Sequence, residues 1–188
     1  MKNTIENIYS SAFFEVLEDE HGNAQAGFEP VLAELEAVND ALSGAPELAK
    51  ELVSFCLAPG IKEEEKLAVI RSVFGKASPY VLNFLCILAQ KERLGHYGRI
   101  YRNFRAKYYD KFKITPVTVT SAFALSGEQK NKLIAKMETV TSSKVELTEK
   151  TDKNLIGGVV VDYGGSRIDG SVKHRLDSLK KEIAEMVL

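Results

Sequence analysis

The hydrophobic period changes once along this chain, near residue 113, and that change limits what it can fold into. Before it, apolar residues recur every three or four positions in one segment after another. After it, residues 114–122 alternate, with Val117 and Val119 on one face and Thr118 and Thr120 on the other. The first period is that of amphipathic helices and the second that of half-buried strands. The expected architecture is multi-domain: an all-α, six-helix N-terminal bundle over 1–112, then a small α+β C-terminal domain over 113–188. A length of 188 residues, 45% of them hydrophobic and 27% charged, suits one ordinary soluble domain or two small ones.

In the first helix Ile5, Ile8, Tyr9, Ala12, Phe13, Val16 and Leu17 cover about half the circumference at 100° per residue, and Phe14 falls outside that stripe. A break at 21–25 follows, with His21 in the loop. The second helix carries Phe28, Leu32, Leu35, Val38 and Leu42; the third opens at Pro46 and stops at Ala58-Pro59-Gly60. The fourth spans 62–74, with Gly75 after its end. The fifth starts at Ser78-Pro79 and leaves only a narrow polar sector at Asn83 and Gln90. A helix apolar nearly all round must be covered nearly all round, by its own bundle or by something else. The sixth, 97–112, turns Ile100, Tyr101, Phe104 and Tyr108 inward.

In the second part, Pro116 biases its strand toward a start or a sheet edge. Ser126 to Gln129 reads as a capping box before a helix with Leu133, Ile134, Met137 and Val140. Strands are expected at 145–147, 155–162 and 167–169, with Gly164-Gly165 as the hairpin turn. The last helix carries Val172, Leu176, Leu179, Ile183 and Val187, and Leu176, Leu179 and Ile183 are expected to pack on the sheet.

The glycine-rich stretch 155–176 raises the question of a nucleotide. It lacks the G-x-x-x-x-G-K-[ST] of a phosphate loop and the G-x-G-x-x-G of a dinucleotide site, so its glycines read as architectural. His21, His96 and His174 are far apart and none has a metal-ligand neighbour at the right spacing. Glu63, Glu64 and Glu65 sit in a helix first turn, where carboxylates favour the positive end. Cys56 and Cys86 read as buried free thiols of a reducing compartment. No catalytic, cofactor-binding or metal-binding residue is expected. The apolar run 80–89 is half the length of a membrane crossing, and the N-terminus does not read as a secretory signal.

Charge is unevenly spread: residues 1–75 carry a net −9, residues 76–113 +7 and residues 114–188 +1. That suggests separate faces or partners. Segment 91–113 interleaves basic and aromatic residues, the pattern of a nucleic-acid surface or a basic helical adaptor. Four of its aromatics recur at helical spacing, however, and a net charge of −1 gives no global case for nucleic acid.

The tail Leu155-Ile156-Gly157-Gly158, with Ile168-Asp169-Gly170-Ser171-Val172 and Leu176, resembles the signature of the delta subunit of bacterial F-type ATP synthases. The mitochondrial relative of that family is the oligomycin-sensitivity-conferring protein. The resemblance extends over the whole chain. Tyr9-Ser10-Ser11-Ala12-Phe13 looks like the family's opening helix, with Ser10 where alanine is usual. Asn83-Phe84-Leu85 through Arg93-Leu94 resembles its fifth helix, 117–125 the strand that opens its second domain, and Asp152-Lys153-Asn154 stands where Asp-Pro-Ser is frequent.

The resemblance implies a non-catalytic peripheral-stalk subunit at the cytoplasmic face of the bacterial membrane, without insertion into it. It implies two protein partners. The N-terminal helix of an α subunit of the α3β3 head would lie in a groove between the first and fifth helices. The C-terminal ends of the b subunits would meet the second domain. Held so, the head does not co-rotate with the rotor during proton-driven ATP synthesis. On this chain, Tyr9, Ala12, Phe13 and Leu17 with Val81, Leu85 and Leu88 are the expected groove residues. The alternative is that they are all intramolecular core.

Overall fold

The computed structural model describes residues 4–186. It forms two compact units, Met1–Tyr108 and Tyr109–Leu188. The division falls in the last turn of a helix, a few residues ahead of the change of hydrophobic period.

The first unit is built from α1 (Ile5–His21), α2 (Gln25–Gly44), α3 (Pro46–Leu57), α4 (Glu63–Phe74), α5 (Pro79–Gln90), a 3₁₀ turn (Leu94–His96) and α6 (Tyr97–Phe112). Its centre is aromatic. Phe14 packs on Phe28 and Phe104 at ring-centroid distances of 5.1 and 5.5 Å. Tyr97 is almost wholly enclosed; its hydroxyl donates to the Leu35 carbonyl at 2.8 Å, and burial holds its pKa well above the usual phenol range. The buried face of α1 is therefore not the stripe that its apolar spacing marks. It is an arc through Phe13, Leu17, Ser10 and Phe14, while Ile8 and Val16 are each 52% exposed. Ser10 sits in this core because its hydroxyl donates to the Asn7 carbonyl one turn back, at 3.1 Å.

His21 closes α1 rather than lying in a loop. Its ring meets Tyr80 edge-on at 5.9 Å, and a side chain at Gly27 would fall on it. Pro79 occupies the first turn of α5 after Ser78, whose backbone N–H donates to Glu34 at 2.9 Å. Cys56 and Cys86 are buried thiols, and burial pushes the Cys56 pKa up. The acidic and basic segments meet inside this unit: Arg99 pairs with Glu6, Arg105 with Glu36, and the buried Lys66 with Glu92.

The second unit is a four-stranded sheet in the order β2-β1-β3-β4 with two helices: β1 (Ile114–Ser121), α7 (Gly127–Thr141), β2 (Lys144–Thr151), β3 (Val159–Tyr163), β4 (Ser166–Asp169) and α8 (Val172–Met186). β1 and β2 run parallel through their full length, joined by α7, and Val117, Val119, Met137 and Val161 form the core beneath that helix. The Ser126–Gln129 capping box forms as its sequence requires. Pro116 lies in a central strand, but β3 ends opposite Val117, so at Pro116 the strand has a neighbour on one side only. That is where a residue without an N–H is tolerated. On α8, Leu176 is half exposed instead of packed on the sheet. The side chains of Leu179 and Ile183 lie outside those described, and Val187 lies beyond the described residues.

The strand expected at 155–162 starts late, at Val159. Residues 152–158 form turns, anchored by Asp152, whose carboxylate accepts from the Asn154 N–H at 2.9 Å. Gly157 and Gly158 thus precede the strand. Gly158 has φ +82°, and a side chain there would collide with the Gly170 carbonyl oxygen and lie 2.9 Å from Ser171 Cα. Two backbone bonds stitch the same approach together, Val172 N–H to the Gly157 carbonyl and Gly170 N–H to that of Val159, both at 3.0 Å. Ser171 then caps α8 by accepting from the His174 N–H at 3.2 Å, while Asp169 accepts from the Ser171 N–H at 2.9 Å, and the Ser171 hydroxyl and N–H together lower the Asp169 pKa. The Leu155–Ile156–Gly157–Gly158 and Asp169–Gly170–Ser171 motifs are the two sides of one close backbone crossing. Gly158→Ala adds both a left-handed strain and a collision, so it should destabilise by about 2 kcal/mol or more, read as a lowered unfolding midpoint of the full chain.

Candidate docking groove

α1 and α5 line an open groove of about 450 Å³. Each helix contributes the same spacing, i, i+3, i+4, i+7: Tyr9, Ala12, Phe13 and Val16 from α1, and Tyr80, Asn83, Phe84 and Ile87 from α5. That spacing places four side chains on one face. The floor is Phe13 stacked on Phe84, with ring centroids 4.2 Å apart and planes 21° from parallel. The rim is apolar and wet, with Val16 52% and Ile87 46% exposed. At the end where α1 stops and α5 starts, the Tyr80 hydroxyl faces the Glu20 carboxylate, which raises the phenol's pKa.

The start of α1 is clamped to the other side of the bundle. His96 Nδ1 lies 2.9 Å from Glu6 Oε1, the Arg99 guanidinium donates to the same oxygen at 3.3 Å, and Asn103 donates to Asn7 at 3.1 Å. A backbone N–H and His96 together hold the Glu6 carboxyl below its usual range. These contacts fix the position of the groove wall that α1 supplies.

Of the residues expected from sequence, Tyr9, Ala12 and Phe13 come together in the groove. Leu17, Val81, Leu85 and Leu88 do not line it: all four are 0% exposed and belong to the core beneath. Val16, Tyr80, Asn83, Phe84 and Ile87 line it without being among the expected groove residues. A signal for them exists. Asn83 marks the solvent side of α5, and at 100° per residue Tyr80 and Ile87 lie about 40–60° from it, whereas Val81, Leu85 and Leu88 lie about 140–160° away.

A second apolar hollow of about 490 Å³ lies among α2, α3 and α4, with Leu48, Val69, Val73 and Phe74 in its lining. Among the described residues no cluster of His, Cys, Asp and Glu could hold a metal ion, and no helix is long and apolar enough to cross a membrane. What the first unit presents is an apolar trough between two helices, a geometry suited to a guest helix.

Residues 5–183 match the family described as ATP synthase delta (OSCP) subunit. The ATP synthase subunit delta of Fusobacterium nucleatum is 31% identical over 184 residues, covering 96% of this chain and 99% of its own. That of Chloroherpeton thalassium is 32% identical over 177 residues, covering 94% and 92%. The sodium ion specific subunit delta of Ilyobacter tartaricus is 36% identical over 132 residues, covering 70% and 76%. A chain of the Toxoplasma gondii mitochondrial ATP synthase hexamer shares the fold, with a TM-score of 0.64 at 24% identity over 97% of this chain and 98% of that one. The chain belongs to the ATP synthase delta (OSCP) subunit family, non-catalytic subunits in the peripheral stalk of the F-type ATP synthase.

The groove and the core beneath it respond differently to truncation. Leu85→Ala should cost about 2–5 kcal/mol, because it empties an enclosed site. Ile87→Ala, on the opposite side of the same helix and half in water, should change stability by less than about 1 kcal/mol in the same denaturant titration.

Proposed function

We propose that the α1–α5 groove receives the N-terminal helix of an α subunit of the catalytic head, and that the second unit meets the C-terminal ends of the b subunits. In this reading the protein is a mechanical joint. It ties the head to the stalk so that the head stays still while the rotor turns, and it is held at the membrane periphery through its partners. The observation that carries the reading is the open apolar face shared by α1 and α5, centred on the Phe13–Phe84 stack and unclaimed by the rest of the bundle. Family membership supplies the complex in which such a surface has a partner.

The use of segment 91–113 as a nucleic-acid surface has less support. Arg99 and Arg105 already face Glu6 and Glu36, and Tyr97, Tyr101, Phe104 and Tyr108 are buried.

Val16 and Ile87 are exposed in the lone chain, so a charge at either should leave the helical signal and the unfolding midpoint close to those of the parent. Val16→Asp and Ile87→Asp should each weaken a synthetic α-subunit N-terminal peptide by tenfold or more in a calorimetric titration, since an unpaired carboxylate would be buried beneath the guest. Unchanged affinity in both variants would refute the groove assignment. A chain ending at Phe112 should keep that peptide and lose a peptide from the C-terminal end of b in a pull-down; retention of the b peptide would refute the division of labour.

A further inference from the structure

The groove is electrically polar along its length. α1 and α5 run antiparallel across it: Tyr80, in the first turn of α5, meets Glu20 and His21 at the end of α1, and Phe84 stacks on Phe13 midway. Extending the groove line of each helix by one further turn brings it to a charge. On α1, Glu20 follows Val16 at i+4, with Asp19 beside it at i+3. On α5, Lys91 follows Ile87 at i+4. All three are exposed. The antiparallel arrangement therefore places Glu20 and Asp19 at one end of an apolar trough and Lys91 at the other. From Tyr9 to Glu20 the trough spans about 16 Å, roughly three turns of a guest helix.

Backbone dipoles do not upset this polarity. At the acidic end the negative C-terminus of α1 lies beside the positive N-terminus of α5, and the two oppose each other. Side-chain charge is left to decide. At the Lys91 end Glu92 is paired with Lys66, and Glu63 accepts from the neutral Gln90 amide and keeps its charge, so that end carries Lys91 with one carboxylate while the other carries Glu20 and Asp19.

Resting on the groove reading above, we propose that the groove sets the direction of its guest. The occupant is an amphipathic helix of about three turns whose positively charged amino-terminal end lies against Glu20 and Asp19, and which runs toward Lys91. It is then parallel to α5 and antiparallel to α1. A helix that begins a chain brings both its free α-amino group and the positive end of its own dipole to the acidic end. The apolar walls supply affinity without direction, and the charged ends supply direction with little affinity.

The test uses the full chain and a synthetic α-subunit N-terminal peptide carrying a nitroxide at one end or the other, read by paramagnetic broadening of backbone amide signals. A tag at the peptide's amino end should broaden Glu20 and Tyr80, and a tag at its carboxyl end Tyr9 and Ile87. Glu20→Lys should weaken the peptide by about two- to fivefold at low salt, the range of an exposed ion pair, with the difference fading at high salt. Asp19→Lys, which leaves Glu20 facing Tyr80, should act in the same direction. A reversed broadening pattern, or unchanged affinity in both lysine variants, overturns the assigned direction while peptide binding itself survives. A peptide that does not bind the parent chain at all overturns the groove reading and this inference with it.

Discussion

The Phe13–Phe84 stack is the contact on which the proposed docking surface depends. At 4.2 Å between centroids it is a close aromatic pair, worth about 0.5–1.5 kcal/mol beyond the area it buries. Its importance is positional. It lies where two helices approach, at the base of the groove, with Phe104 behind Phe13 at 5.5 Å. Below the stack, the enclosed Leu17, Val81, Leu85 and Leu88 make an ordinary core. Above it, Val16 and Ile87 stay in water. The stack thus separates side chains that stabilise the lone chain from side chains that gain burial only when something docks. A helix pair can serve both purposes only if each member is apolar over more of its circumference than its neighbours cover, as α1 and α5 are.

That excess is legible in the sequence; its division is not. The spacing of Ile5, Ile8, Tyr9, Ala12, Phe13, Val16 and Leu17 marks a helix but not which side of the arc faces inward. In the structure the buried arc is displaced toward Ser10 and Phe14, the two positions least expected there. Serine is polar by composition, yet its hydroxyl is satisfied within its own helix, so the core accepts it. Phe14 is buried because Phe28 and Phe104 are there to receive it, which no local pattern encodes. On α5 the apolar coverage is so wide that only Asn83 and Gln90 mark a polar side, and the residues flanking Asn83 become the groove.

In the second unit the local pattern misleads at one place for a related reason. Leu155-Ile156 followed by Val159-Val160-Val161 looks like a single strand interrupted by glycines. The ladder with β1 begins only at Val159, because Asp152 ties the preceding residues into a turn and Gly158 takes a left-handed conformation. The glycines are there for another segment of backbone. Gly158 and Gly170 let two chain crossings approach to within hydrogen-bonding distance, and that crossing ends in the cap of α8. A glycine-rich stretch can suggest a phosphate cradle, but here the atoms that fill the space left by the missing side chain are the protein's own carbonyl and Cα.

Electrostatics favours the groove over the basic segment as the surface proposed for recognition. Residues 1–75 and 76–113 carry net charges of −9 and +7, and such a separation would suit two oppositely charged partners if the segments were apart. The bundle brings them together instead, with Glu6 against Arg99 and Glu36 against Arg105. Each such pair at a partly exposed site is worth little to stability, but it lowers the field that the basic helix projects into solvent. Long-range attraction by the basic segment is thereby muted. In the proposed joint, what remains to discriminate among partners is short-ranged: the shape of an apolar trough and the few charges that terminate it.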